Sequence, residues 1–176
     1  MRIIEDLKRY SGGSAAKALY HVLLNSNFQM IFWYRVANAL SKIHLSPVSK
    51  IIMYFHKLIY ACDIDYRADI GGGFRIVHGI GIVIGAEVVC GKNCTIYQGV
   101  NLGGNLGKKK VINGKLTGQP YLHDGVTLYA QSCVMGPVEI NAGSRVGANA
   151  VITSDIPHHT VVYTKALRVE KTCIDQ

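Results

Sequence analysis

Residues 121–157, YLHDGVTLYAQSCVMGPVEINAGSRVGANAVITSDIP, carry an aliphatic side chain at every sixth position: Leu122, Leu128, Val134, Ile140, Val146 and Ile152. Four residues after each stands a small or branched companion: Val126, Ser132, Val138, Ser144, Ala150 and Ile156. A period of six is neither the 3.6 of a helix nor the alternation of an ordinary strand. It is the period of a solenoid in which each hexad gives one short strand and one turn, and three hexads close a triangular coil. The aliphatic residue points inward onto its equivalent in the next coil, and the narrow prism keeps the companion small or branched.

The same clock runs earlier in the chain. Ile64, Ile70 and Ile76 keep it, and after a slip of two residues so do Ile84, Cys90, Ile96 and Leu102. The companions there are Ala68, Phe74 and Ile80, then Val88, Cys94 and Val100. Cys90 and Cys94 thus occupy an inward and a companion position, which makes them core filler rather than a metal pair. The nineteen residues between Leu102 and Leu122 break the pattern with Gly103, Gly104, Gly107, Gly114 and Gly118 and the run Lys108–Lys110. They read as an excursion thrown out from a turn, and such long loops in compact domains serve function or move freely in solvent.

Residues 1–60 differ in kind. Leu19, Val22 and Leu23, then Met30, Ile31, Trp33, Tyr34, Ala37 and Leu40, show helical spacing, as do Ile51, Ile52, Phe55, Leu58 and Ile59 after Ser46–Pro47. Two or three amphipathic helices are expected, capping the open strand edge of the first coil. Attachment of these helices to a membrane surface is the second reading of the same stripes. The division expected is a helical cap over 1–60, a coil over 61–157 with an excursion loop at 104–121, and a tail over 158–176.

Composition agrees with one domain and a small appendage in 176 residues. At 49% hydrophobic and 17% charged, the chain is no disordered polymer. Nineteen glycines without a G-X-Y period exclude collagen. The net charge of +8 points to anionic partners: nucleic acid, a membrane surface or a phosphorylated cofactor. Met1–Tyr10 lacks the basic-then-apolar order of a signal peptide, and the charge-free stretch Ala18–Tyr34 holds too many polar residues to cross a bilayer. Five cysteines without a CxxC suit a reduced, cytoplasmic chain.

Among seven histidines, His78 stands where the phase slips, with glycines at 79 and 81. Asp63 lies fifteen residues earlier, nearly one coil, so carboxylate and imidazole can meet on one side of the prism. Such a carboxylate fixes the tautomer in which the other ring nitrogen is a base. Asp65 and Asp69 are alternatives for the carboxylate, and a polar surface histidine is the plain alternative for His78.

Asp63-Ile64, Ile70-Gly71, Val77-His78-Gly79, Gly81 to Gly85, Val100 to Gly104 and Ile156 to Thr160 resemble the serine acetyltransferase branch of the hexapeptide-repeat acyltransferases, over roughly residues 61–170. The resemblance implies a mainly β fold, a left-handed parallel β-helix with a short helical cap, assembled as a homotrimer with active sites between subunits. It implies acetyl-CoA as donor without a metal, His78 as general base and Asp63 as the residue that orients it. It also implies cofactor contacts at Gly103 and Gly104, backbone contacts at Ala130 and Ala148, and phosphate contacts at Lys165 or Arg168.

Two departures bear on the acceptor. The family usually has Asp just before the catalytic His, where Val77 stands, and Arg-His before a Pro at the end of the excursion, where Gly118-Gln119 precede Pro120. A free amino acid brings two charges into the site and each needs a partner. Val77 and Gln119 as acceptor contacts therefore suit a neutral sugar hydroxyl. With the short cap, they are also similar to the colanic acid and capsule O-acetyltransferases. A glycan or its lipid-linked precursor is the expected acceptor, with serine the alternative. A noncatalytic solenoid scaffold is argued against by the intact Asp63/His78 pair. A zinc hydrase of this fold needs three histidines from adjacent coils, and only His78 and His123 sit in repeats. Nucleic-acid binding has only Lys108–Lys110 behind it.

Overall fold

A computed structural model describes residues 1–165. Four helices come first: α1 (Arg2–Ser11), α2 (Ala15–Leu24), α3 (Ser26–Lys42) and α4 (Ser46–Tyr60). That is one or two more than the periodicity suggested. The extra boundary is local: Gly12 takes a left-handed φ of 59° and ends α1, and the Ser14 side chain then caps α2.

Beyond residue 62 the chain visits three parallel sheets in rotation. The first holds Asp63–Ile64, Val83–Ile84, Asn101–Gly103, Cys133–Met135 and Val151–Ile152. The second holds Asp69–Ile70, Val89–Cys90, Tyr121–Leu122 and Glu139–Ile140. The third holds Arg75–Ile76, Thr95–Ile96, Thr127–Leu128, Arg145–Val146 and Val161–Val162. Register pairs inward residue on inward residue, as in Ile76 with Ile96, Ile96 with Leu128, and Leu128 with Val146.

All three sheets feed one hydrophobic cluster, and the hexad positions from Ile64 to Ile156 are buried in it with a single exception. Ile80 is 71% exposed, and Ile82 takes the companion place. The two-residue slip therefore falls inside the connection from the third sheet to the first, lengthening that corner to residues 77–82. Buried Ser132 and Ser144 satisfy their hydroxyls on the carbonyls of Tyr129 and Pro157 at 2.7 and 2.6 Å.

The excursion is not structureless. Lys110–Ile112 and Lys115–Thr117 form an antiparallel hairpin, tied back by Lys110 Nζ to Asp155 at 2.6 Å and Glu139 at 3.2 Å. Lys110 is thereby engaged within the chain, which takes the last cation out of the triple-lysine run.

Helix α3 closes the first circuit. Asn27 donates to the Val77 carbonyl at 2.8 Å, Tyr34 to Ala68 at 2.6 Å and Asn38 to Tyr66 at 2.7 Å. Arg35 donates to the carbonyls of Ile70 and Gly71 and pairs with Asp6 of α1 at 2.9 Å. An edge that would otherwise offer unpaired carbonyls is thus answered group by group. Helix α4 packs behind α3 through buried Ser49 and His56, and its exposed side carries no such partner among the described residues.

Candidate active site

The corner lengthened by the two-residue slip carries His78. Its neighbours explain its shape: Gly81 takes a φ of 72° and donates its N–H to the Ala61 carbonyl at 2.9 Å, and Met30 of α3 packs against Gly79. His78 itself is exposed. Asp63 opens the first strand of the adjacent sheet and its N–H bonds the Ile82 carbonyl at 2.8 Å. Both residues therefore flank one corner. No hydrogen bond joins their side chains; Asp63 Oδ2 instead meets Lys57 Nζ of α4 at 2.6 Å. Oδ1 stays unengaged and both groups remain open to solvent. Asp65 is committed to Arg67 at 2.8 Å and Asp69 to Arg2.

The register shows what lies along that edge of the molecule. The residue two places after each inward residue of the third sheet is His78, then Gln98, Ala130, Ala148 and Thr164. The general-base candidate and both alanines singled out for backbone contact thus line up on one edge, and Lys165 follows Thr164 at its far end. Arg168 lies outside the described residues. Gln98 is the residue that the hexad pattern missed. Its Oε1 is buried and without a hydrogen-bond partner among the described residues, an acceptor held ready on the edge between His78 and Ala130. Gly103 and Gly104 sit across the first sheet from that edge, at the root of the excursion; a Cβ on Gly104 would come within 3.6 Å of the Gly118 carbonyl.

Gln119 has a different task from the one its position suggested. Its Oε1 accepts the Glu87 N–H at 2.8 Å, and its amide lies against Gly85 so closely that a Cβ there would come within 2.4 Å. Glu87 in turn accepts the Gly118 N–H at 2.8 Å. Gln119 is a brace that roots the excursion on the coil. Its neutrality therefore says nothing about the charge of an acceptor. Val77 contributes a carbonyl to Asn27 and a half-buried side chain.

No protein-family model matches the chain. It is 31% identical over 167 residues to the serine acetyltransferase of Synechococcus elongatus, covering 89% of this chain and 65% of that protein. It is 35% identical over 153 residues to the serine acetyltransferase of Helicobacter pylori strain J99, covering 85% of each. Among solved structures, serine acetyltransferase isoform 3 of Entamoeba histolytica, in complex with cysteine, superposes with a TM-score of 0.82 at 27% identity, over 97% of this chain and 60% of that one. The chain thus spans about two thirds of the first curated relatives, 65% and 66%.

These relatives overturn the sugar hydroxyl as acceptor, and the likeness to capsule enzymes finds no support in them. The physical reason lies at the root of the excursion. The sugar reading took Val77 and Gln119 as acceptor contacts, and Gln119 is spent on the Glu87 N–H.

Proposed function

The chain belongs to the serine acetyltransferase family, and from that premise we propose that it transfers the acetyl group of acetyl-CoA to the hydroxyl of serine. His78 takes the proton as serine Oγ attacks the thioester carbonyl carbon. The tetrahedral intermediate collapses with cleavage of the C–S bond, and His78 returns the proton to the CoA thiolate, leaving O-acetylserine and CoA. Asp63 turns Oδ1 to the imidazole and stabilises its protonated form. General-base assistance of this kind is worth about 10²–10⁴-fold.

The observation that carries the reading is the shared edge of His78, Gln98, Ala130 and Ala148. The pantetheine arm runs along it, its amides meeting Gln98 Oε1 and the backbone at the two alanines, with Lys165 toward the phosphates. We take the rotation through three sheets as a left-handed β-helix over 61–157, preceded by the helical cap and followed by the tail from 158. Three such coils assemble side by side, so that Gly103, Gly104 and the excursion root of one copy face the His78 edge of the next.

Thiol release from acetyl-CoA, followed with serine and with a panel of sugars, tests the acceptor. Serine is expected to give turnover and His78→Ala to reduce it by about 10²–10⁴-fold. Release no faster with serine than without it overturns the proposal. Gln98→Ala is expected to raise KM for acetyl-CoA while leaving KM for serine in place; an unchanged KM for acetyl-CoA removes Gln98 from the donor site.

A further inference from the structure

The helical part holds eight basic residues against two acidic ones in residues 1–62, so six of the eight net positive charges sit there. Glu5 and Asp6 are those two acids; from Leu7 to Cys62 there is none. The same third of the chain carries sixteen of the 24 large hydrophobic residues that stand exposed among the described residues. Helix α4 explains why. Ser49 and His56 point inward, and Ile51, Tyr54, Phe55, Leu58 and Ile59 form a stripe on the opposite side, each more than half exposed. Trp33 of α3 joins this stripe to Val22 of α2, since it lines grooves on both sides. Lys50 and Lys57 flank the stripe at the helical spacing of seven, and Lys42 stands where α3 gives way to α4. Lys57 also holds Asp63.

We infer that this face lies on an anionic lipid bilayer, with the apolar stripe in the headgroup–acyl boundary and the lysines at the phosphates. The charge pattern selects this occupant over a second copy of the chain. Two copies meeting through the same patch bring like lysines together, with no acid between residues 7 and 62 to answer them. An anionic surface answers all of them at once, and Trp and Tyr at the border of an apolar stripe suit the bilayer interface. No helix among the described residues is long and apolar enough to cross a membrane, and the one-sided stripe of α4 lays that helix in the interface plane. The inference is independent of which acceptor the enzyme uses.

Co-sedimentation of the full chain with vesicles tests it. Binding is expected to mixed phosphatidylglycerol–phosphatidylcholine vesicles and to fall at least about tenfold on pure phosphatidylcholine, with Lys42→Glu/Lys50→Glu, or at high salt. Phe55→Ser/Leu58→Ser is expected to abolish binding at unchanged salt. All four positions are solvent-facing or flank the stripe, and an unchanged far-UV circular dichroism melt shows that the variants still fold. Three results overturn the inference: no pelleting with anionic vesicles, equal pelleting with neutral ones, or a serine pair that halves the solution mass without altering lipid binding, which makes a second copy the occupant.

Discussion

Single residues decide how the helical part stays attached. Asp6 is fully buried against Arg35, whose guanidinium also serves two carbonyls of the first circuit, while Asp6 accepts the Phe74 N–H at 2.8 Å. Burial raises the Asp6 pKa, and the hydrogen bond and charge of Arg35 work against that rise. Removing one partner leaves the other charge buried and alone, so Arg35→Ala is expected to cost about 3–5 kcal/mol in urea unfolding. A loss below about 1 kcal/mol, the scale of a solvent-exposed pair, shows that water replaces the guanidinium.

His56 is the second such residue. Burial lowers its pKa, with the Met30 carbonyl opposing, so the neutral ring is the folded form. Its folded pKa lies below its unfolded one, so its contribution is complete above about pH 6.5 and is lost as pH falls from there through the folded value. The melting temperature is expected to drop below pH 6.5 in the native chain and to drop less in His56→Gln; parallel curves for the two refute it. The thiols behave alike: burial pushes Cys62 up to about 12 and Cys94 up to about 11, which keeps both protonated and slow toward iodoacetamide until the chain unfolds.

At the scale of elements, the hairpin and the coil corners matter most. Slight desolvation raises the pKa of exposed Asp155, but the Glu139 N–H and Lys110 outweigh this and hold the carboxyl below its usual value. The Lys110 tie is therefore fully present above about pH 4 and released as pH falls through the folded value. Lys110→Met is expected to speed amide exchange in 108–118 at neutral pH while costing under about 1 kcal/mol globally, since exposed pairs contribute little. Unchanged exchange means that the Glu87–Gln119 brace alone holds the hairpin. On the second-to-third corner, Gly71 lies so close to the next circuit that a Cβ would come within 2.5 Å of the Gly91 carbonyl oxygen. Both sides of that contact are backbone, so Gly71→Ala is expected to cost about 1–3 kcal/mol by denaturant midpoint.

Elements also show where helical periodicity misleads. The stripes on α3 and α4 look equivalent in sequence, yet Met30, Ile31, Tyr34 and Ala37 are buried while Ile51, Phe55, Leu58 and Ile59 face solvent. Amphipathicity reports that a stripe needs an apolar neighbour and not which neighbour it gets. Of these two stripes, that of α3 joins the core beneath the first circuit, where Asn27, Tyr34, Arg35 and Asn38 also answer edge carbonyls.

On the scale of the whole molecule, charge and surface are divided. Residues 63–176 carry the candidate site and are nearly balanced in charge, whereas the helical part holds most of the net positive charge and the exposed apolar stripe. The proposed placement of active sites between copies predicts three chains per particle, or a multiple of three, by light scattering. A monomer retaining full turnover contradicts the site proposed between subunits.

The inward set of every hexad but one was legible in the sequence, because each inward position is decided by its own six residues. His78 and Asp63 were legible as candidates for the same local reason. The edge was not. His78, Gln98, Ala130 and Ala148 are separated by 20, 32 and 18 residues, since a slip and an excursion lengthen two of the circuits. No fixed period joins such positions; strand pairing does. Tertiary structure alone made Gln119 a brace, gave Lys57 to Asp63 and left the α4 stripe uncovered, because each depends on which segments the coil brings together and not on what any one of them prefers.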